Sequence, residues 1–135
     1  MKRTTRWLAL GIAVLSAATA LAQDKVPAIK EIMTRLNKPD GLYPAISKQL
    51  KADNPDWNEL QQESKTFVKL ATALGNNTAP HGDSASWAKL TKDYADNAQA
   101  LADALAKKDK AAANTARVRL GGETCKTCHK AHRKN

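Results

Sequence analysis

From Trp87 to Leu105 the apolar residues Trp87, Leu90, Tyr94, Ala98, Leu101 and Leu105 recur at intervals of three and four. Only an α-helix lines such a series up along one face. The same period fills most of the chain. Ile29, Ile32, Met33 and Leu36 begin a first arm after Val26; Asn37-Lys38-Pro39-Asp40-Gly41 breaks or kinks it, and Leu42, Ile46 and Leu50 resume it. Trp57, Leu60, Phe67, Leu70 and Leu74 form a second arm that ends at Gly75. Its start is expected at Asn54 as cap, with Pro55 in the first helical position and Asp56 adding negative charge to the first turn.

A polar loop from Asn76 to Gly82 leads to the third arm, capped by Asp83 or Ser84, and Lys107 and Lys108 suit its C-terminal dipole. Asp109 caps a fourth arm that runs from an alanine-rich start through Ala116, Val118 and Leu120. No segment has a convincing strand pattern. Four helical arms with short connections predict an all-α, antiparallel up-down-up-down four-helix bundle. Its core is expected to include Trp57, Leu60, Phe67, Trp87, Leu90, Tyr94 and Leu101.

The N-terminus reads differently. Lys2, Arg3 and Arg6 precede an apolar run from Leu8 to Leu21, and Ala20-Leu21-Ala22 has the small-x-small form of a cleavage site. This is the pattern of a secretory signal peptide. The run is shorter than the ~20 residues a membrane span needs, and it ends at a cleavable site, which argues against an anchor. Residues 1–22 are therefore expected to be removed, leaving 23–135 as one exported, soluble, periplasmic domain without stable membrane insertion.

Near the other end lies Cys125-Lys126-Thr127-Cys128-His129, a C-x-x-C-H motif, which reads as a covalent c-type haem attachment site. Two thiols one helical turn apart can each add to a vinyl group of the haem, and His129 follows as the proximal iron ligand. Three other uses of the cysteines compete with this one. A thioredoxin-like dithiol belongs beside a βαβ unit; a disulfide would close a very small loop and leave His129 unexplained. Zinc held by Cys125, Cys128, His129 and His132 would crowd into eight residues ligands that structural sites usually draw from two separated pairs. Gly121-Gly122, just before the motif, either lets a flat macrocycle approach the backbone or breaks the helix.

Loss of Lys2, Arg3 and Arg6 with the signal lowers the formal charge from +9 to +6. Aromatic residues are only 4% of the chain, too few for a base-stacking surface, and an exported protein rarely meets nucleic acid. Most of the excess reads as a solvated lysine-rich surface. Lys126, Lys130, Arg133 and Lys134 surround the motif and form a candidate steering patch for an acidic redox partner.

The layout of four arms with C-x-x-C-H at the end of the last resembles the class II c-type cytochromes, which include cytochrome c′ and its low-spin relatives. The resemblance covers the whole of 23–135 in layout, and its specific part is the C-terminal motif. It implies one covalent haem c with iron near the C-terminus. It also implies an aromatic and then a basic residue three and four positions after the histidine. His132 and Arg133 hold those places; Arg133 becomes a candidate proximal haem contact, and the histidine departs from the pattern.

Low-spin members of the family place a ligating methionine on the first helix in an R-Q-x-x-M-type sequence. Met33, the sole methionine of 23–135, matches in position within Ile29-Lys30-Glu31-Ile32-Met33, without the arginine and glutamine. It is the candidate distal ligand, against the ordinary use of a methionine on an apolar stripe as core packing. His81, in the Pro80-His81-Gly82 loop, is a weaker candidate and is expected to be exposed.

Nothing in the sequence marks an acid/base pair, so one-electron transfer rather than enzymatic catalysis is expected. The alternative is a nitric oxide or carbon monoxide binder of cytochrome c′ type with an open distal site. The family often forms homodimers, and nothing in this sequence marks an interface.

Overall fold

The computed structural model describes residues 25–133 and is all-helical over them. The expected signal peptide, and Lys134 of the expected basic patch, lie outside the described residues. Helices α1 (Ile29–Asn37) and α2 (Leu42–Lys51) form the first arm, α3 (Trp57–Gly75) the second and α4 (Ser84–Ala106) the third. The fourth is continuous from α5 (Lys110–Arg119) through a π-helical turn (Leu120–Thr124) into α6 (Cys125–His132). Among the described residues no helix is long and apolar enough to cross a membrane.

Hydrogen bonds between arms fix their directions. Asn77 Nδ2 donates to Pro27 O and Gln49 Nε2 to Glu59 Oε2, so the first and second arms run antiparallel. Gln61 Nε2 reaches Leu105 O, while Phe67 packs on Tyr94 with ring centroids 6.0 Å apart, which orients α3 against α4. Lys110 Nζ donates to Ala52 O and Tyr43 Oη to Arg117 O, closing the fourth arm onto the first. The result is a bundle of antiparallel neighbours.

The bend in the first arm has a clear cause. Pro39 follows the end of α1, and the chain turns back so closely that a Cβ on Gly41 would lie 2.9 Å from the Leu36 carbonyl. Only a glycine fits there without displacing backbone. Pro44 falls in the first turn of α2, where its missing N–H breaks no intrahelical bond.

Aspartates start the other arms. Asp56 accepts from the amides of Asn58 and Glu59, Asp83 from Ser86 and Asp109 from Ala112. The cap of α3 is thus Asp56, two residues later than expected: Asn54 and Pro55 lie before the helix, and the Asp56 carboxylate supplies two acceptor bonds at once.

The core seam is a heptad. In α3 it runs Leu60, Ser64, Phe67, Ala71, Leu74, and in α4 Trp87, Thr91, Tyr94, Ala98, Leu101, Leu105, all buried. These 4-3-4-3 steps are those of knobs-into-holes packing. Thr91, not Leu90, occupies the seam, and its hydroxyl is satisfied within α4 by Trp87 O at 2.9 Å. Leu90 is consequently half-buried outside the core, and Trp57 packs on the core's edge. Val118 is 58% exposed, because α5 buries only Ala113 and Ala116.

Candidate functional site

An apolar-walled cleft of about 780 Å³ opens between the first arm and the end of the fourth. Met33 enters it from α1; Cys128 and His129 enter from α6, with Arg133 just beyond that helix. Residues separated by almost the whole bundle sequence are thereby brought to one place. The volume falls within the range of small-molecule and cofactor sites.

The π-helical turn leads into α6, which brings Cys128 to the cleft and sets Cys125 against the core. Widening the helix over Leu120–Thr124 leaves Leu120 O facing Cys125, whose Sγ donates to it at 2.8 Å. Such turns recur at functional sites because one extra residue re-aims the side chains that follow. Gly121 is required here for another reason: a Cβ on it would collide with the Tyr43 hydroxyl. Gly122 faces open space. The helix therefore continues through the glycine pair, and Gly121 makes room for Tyr43.

Both thiols are free. Cys125 is half-buried against the core beside Tyr94, and Cys128 is half-buried in the cleft wall. Burial raises the Cys125 thiol above its ordinary range, with a further push from Cys128, and burial likewise raises Cys128. A dithiol oxidoreductase needs the opposite shift in its attacking sulfur.

His129 is exposed at the cleft, one helical turn from Cys125. His132 is buried and points elsewhere: Nδ1 donates to His81 O at 2.6 Å, Nε2 lies 3.1 Å from Ser86 Oγ, and the ring meets Trp87 edge-on at 5.3 Å. A carbonyl only accepts, so Nδ1 carries a proton, and in the neutral ring Nε2 accepts from Ser86. His132 therefore fills the aromatic packing place while satisfying both nitrogens. Cys125, Cys128, His129 and His132 are not assembled as a zinc site, and among the described residues no group of three or more His, Cys, Asp or Glu side chains could hold a metal ion.

His81 is exposed, and its carbonyl rather than its ring is engaged. Gly82, at φ +78°, packs so tightly on Ala131 O that a side chain would not fit. This docks the loop between α3 and α4 onto α6 and brings Pro80 and Trp87 into the cleft wall.

Several lining residues carry no obvious sequence signal. Lys30 and Lys38 join Arg133 as cations at the cleft, and no carboxylate lines it among the described residues. Asn37, one turn beyond Met33, donates from Nδ2 to Met33 Sδ at 3.6 Å. Its position four residues after the sole methionine of 23–135 was the available clue. A flat apolar macrocycle bearing two propionates fits this donor set: the Cys128 thiol and the His129 imidazole on one wall with Cys125 one turn behind, a thioether on the other, and cations without acids around them.

Comparison with protein-family models, with curated proteins and with solved structures found no match to this chain.

Proposed function

We propose that this chain is an exported, periplasmic c-type cytochrome of class II that carries single electrons. The observation that carries this reading is the convergence of Cys128 and His129 on α6 with Met33 on α1 in one cleft. Bound haem supplies a ferric–ferrous couple, with thioether linkages to Cys125 and Cys128. His129 is assigned as the proximal ligand and Met33 as the distal one. Lys30, Lys38 and Arg133 line the cleft and would supply counter-charges for the propionates.

Lys126, Lys130 and Arg133 are exposed around the motif, which favours a redox partner with an acidic surface. A thioether distal ligand raises the potential and fills the sixth position, so it also separates electron transfer from nitric oxide or carbon monoxide capture at an open site.

The optical spectrum of the holoprotein tests this. A six-coordinate low-spin spectrum with a weak sulfur-to-ferric charge-transfer band at the red end is expected. Met33→Leu, which keeps the volume and removes the donor, should turn the iron high-spin and lower its potential. A wild-type protein that is already high-spin would favour gas binding instead.

A further inference from the structure

Met33 does not approach the cleft alone. Asn37 lines the same cleft one turn further along α1, and its amide donates to the Met33 sulfur at 3.6 Å. Burial raises the phenol of Tyr94 on α4, and the Asn37 side chain offsets part of that rise. Tyr94 is itself buried and braced against Phe67 in the seam between α3 and α4.

We infer that Asn37 is a positioning residue that orients the Met33 thioether and raises the reduction potential of the site; this rests on Met33 being the distal ligand. A thioether sulfur has two lone pairs. With one directed at iron, the other is free to accept the Asn37 N–H. The hydrogen bond engages one lone pair and so favours the sulfur orientation that leaves the other for the metal. It also draws electron density from the sulfur. Ferric iron depends on that density more than ferrous iron does, so the bond destabilises the oxidised state and favours uptake of one electron, Fe³⁺ + e⁻ → Fe²⁺.

A purely structural role would look different. Asn37 is the last residue of α1, where a side chain could matter only to the stability of the helix end. Loss of that role alone changes the unfolding temperature and leaves the iron spectrum untouched.

The experiment uses holoprotein carrying covalent haem, with Asn37→Leu, Asn37→Gln and Met33→Leu compared with wild type. Asn37→Leu keeps the approximate shape without donors and should remain low-spin, shift the sulfur-to-ferric band and lower the potential. Asn37→Gln keeps the amide and should lie nearer to wild type on both readouts. If Met33→Leu abolishes the low-spin spectrum while Asn37→Leu leaves band and potential at wild-type values, Asn37 has no such role and the ligand assignment stands. If Met33→Leu itself leaves the spectrum unchanged, the ligand assignment fails and the role of Asn37 falls with it.

Discussion

His132 on α6 donates from Nδ1 to the carbonyl oxygen of His81, 51 residues earlier, at 2.6 Å. This bond, with Ser86 on the other ring nitrogen, ties the end of α6 to the loop between α3 and α4. One wall of the cleft thus depends on a contact made three residues beyond the candidate iron ligand.

Removing the ring should therefore cost stability and loosen the loop. His132→Ala leaves His81 O and the Ser86 hydroxyl without their partner, for about 1–3 kcal/mol from unpaired groups alone. His132→Phe restores the packing on Trp87 but not the hydrogen bonds, and should recover only part of that loss. Urea unfolding measures both; a change within about 0.5 kcal/mol for alanine would show that the clamp carries no weight.

The two glycines before the motif should behave oppositely. Gly121→Ala forces its Cβ against the Tyr43 hydroxyl and disturbs the bond from Tyr43 to Arg117 O, so it should destabilise by about 1–3 kcal/mol. Gly122→Ala meets nothing and should be neutral or stabilising by up to about 1 kcal/mol through helix propensity. Thermal melts of the two variants check the contrast.

The order of the arms was legible in the sequence because the apolar stripe and its breaks follow directly from helical geometry. The seam was less so. Ser64, Ala71 and Thr91 occupy heptad positions where hydrophobicity is weak, and both hydroxyls are satisfied by carbonyls of their own helices. A reading by apolarity therefore passes over Thr91 for Leu90, and over the exposure of Val118. At the candidate site, the cysteines, His129 and Met33 stood out by motif, uniqueness or resemblance. Asn37, Lys30, Lys38 and the His132 clamp did not, because their roles arise from contacts between arms. The π-helical turn was also hidden, since a glycine pair permits several backbone paths.

Phe67 is 1% exposed at the centre of the seam. Phe67→Ala should cost about 3–5 kcal/mol, and it should also loosen Tyr94, which it braces. Chemical denaturation gives the first effect; near-ultraviolet circular dichroism reports the second.

Glu63 gives the fold a pH dependence. Burial raises its carboxyl above the ordinary value of 4.5, with help from Glu59, and one carboxyl oxygen is buried without a partner. The native state thus binds this proton more tightly than the unfolded chain does. Its ionisation weakens the fold as pH rises through the native pKa, and the penalty is absent once the pH lies below the unfolded value. Glu63→Gln should raise the melting temperature relative to wild type at pH 7, with a smaller gain at pH 4. An equal gain at both pH values would show that charge is not the cause.

The proposed function rests on covalent haem at Cys125 and Cys128, and denaturing mass spectrometry of the chain matured in a host with c-type assembly machinery tests it. One haem retained after denaturation, with residues 1–22 removed and the haem mapped to the Cys125–Cys128 peptide, is the expected result. A Cys125–Cys128 disulfide without haem in the same material would contradict it.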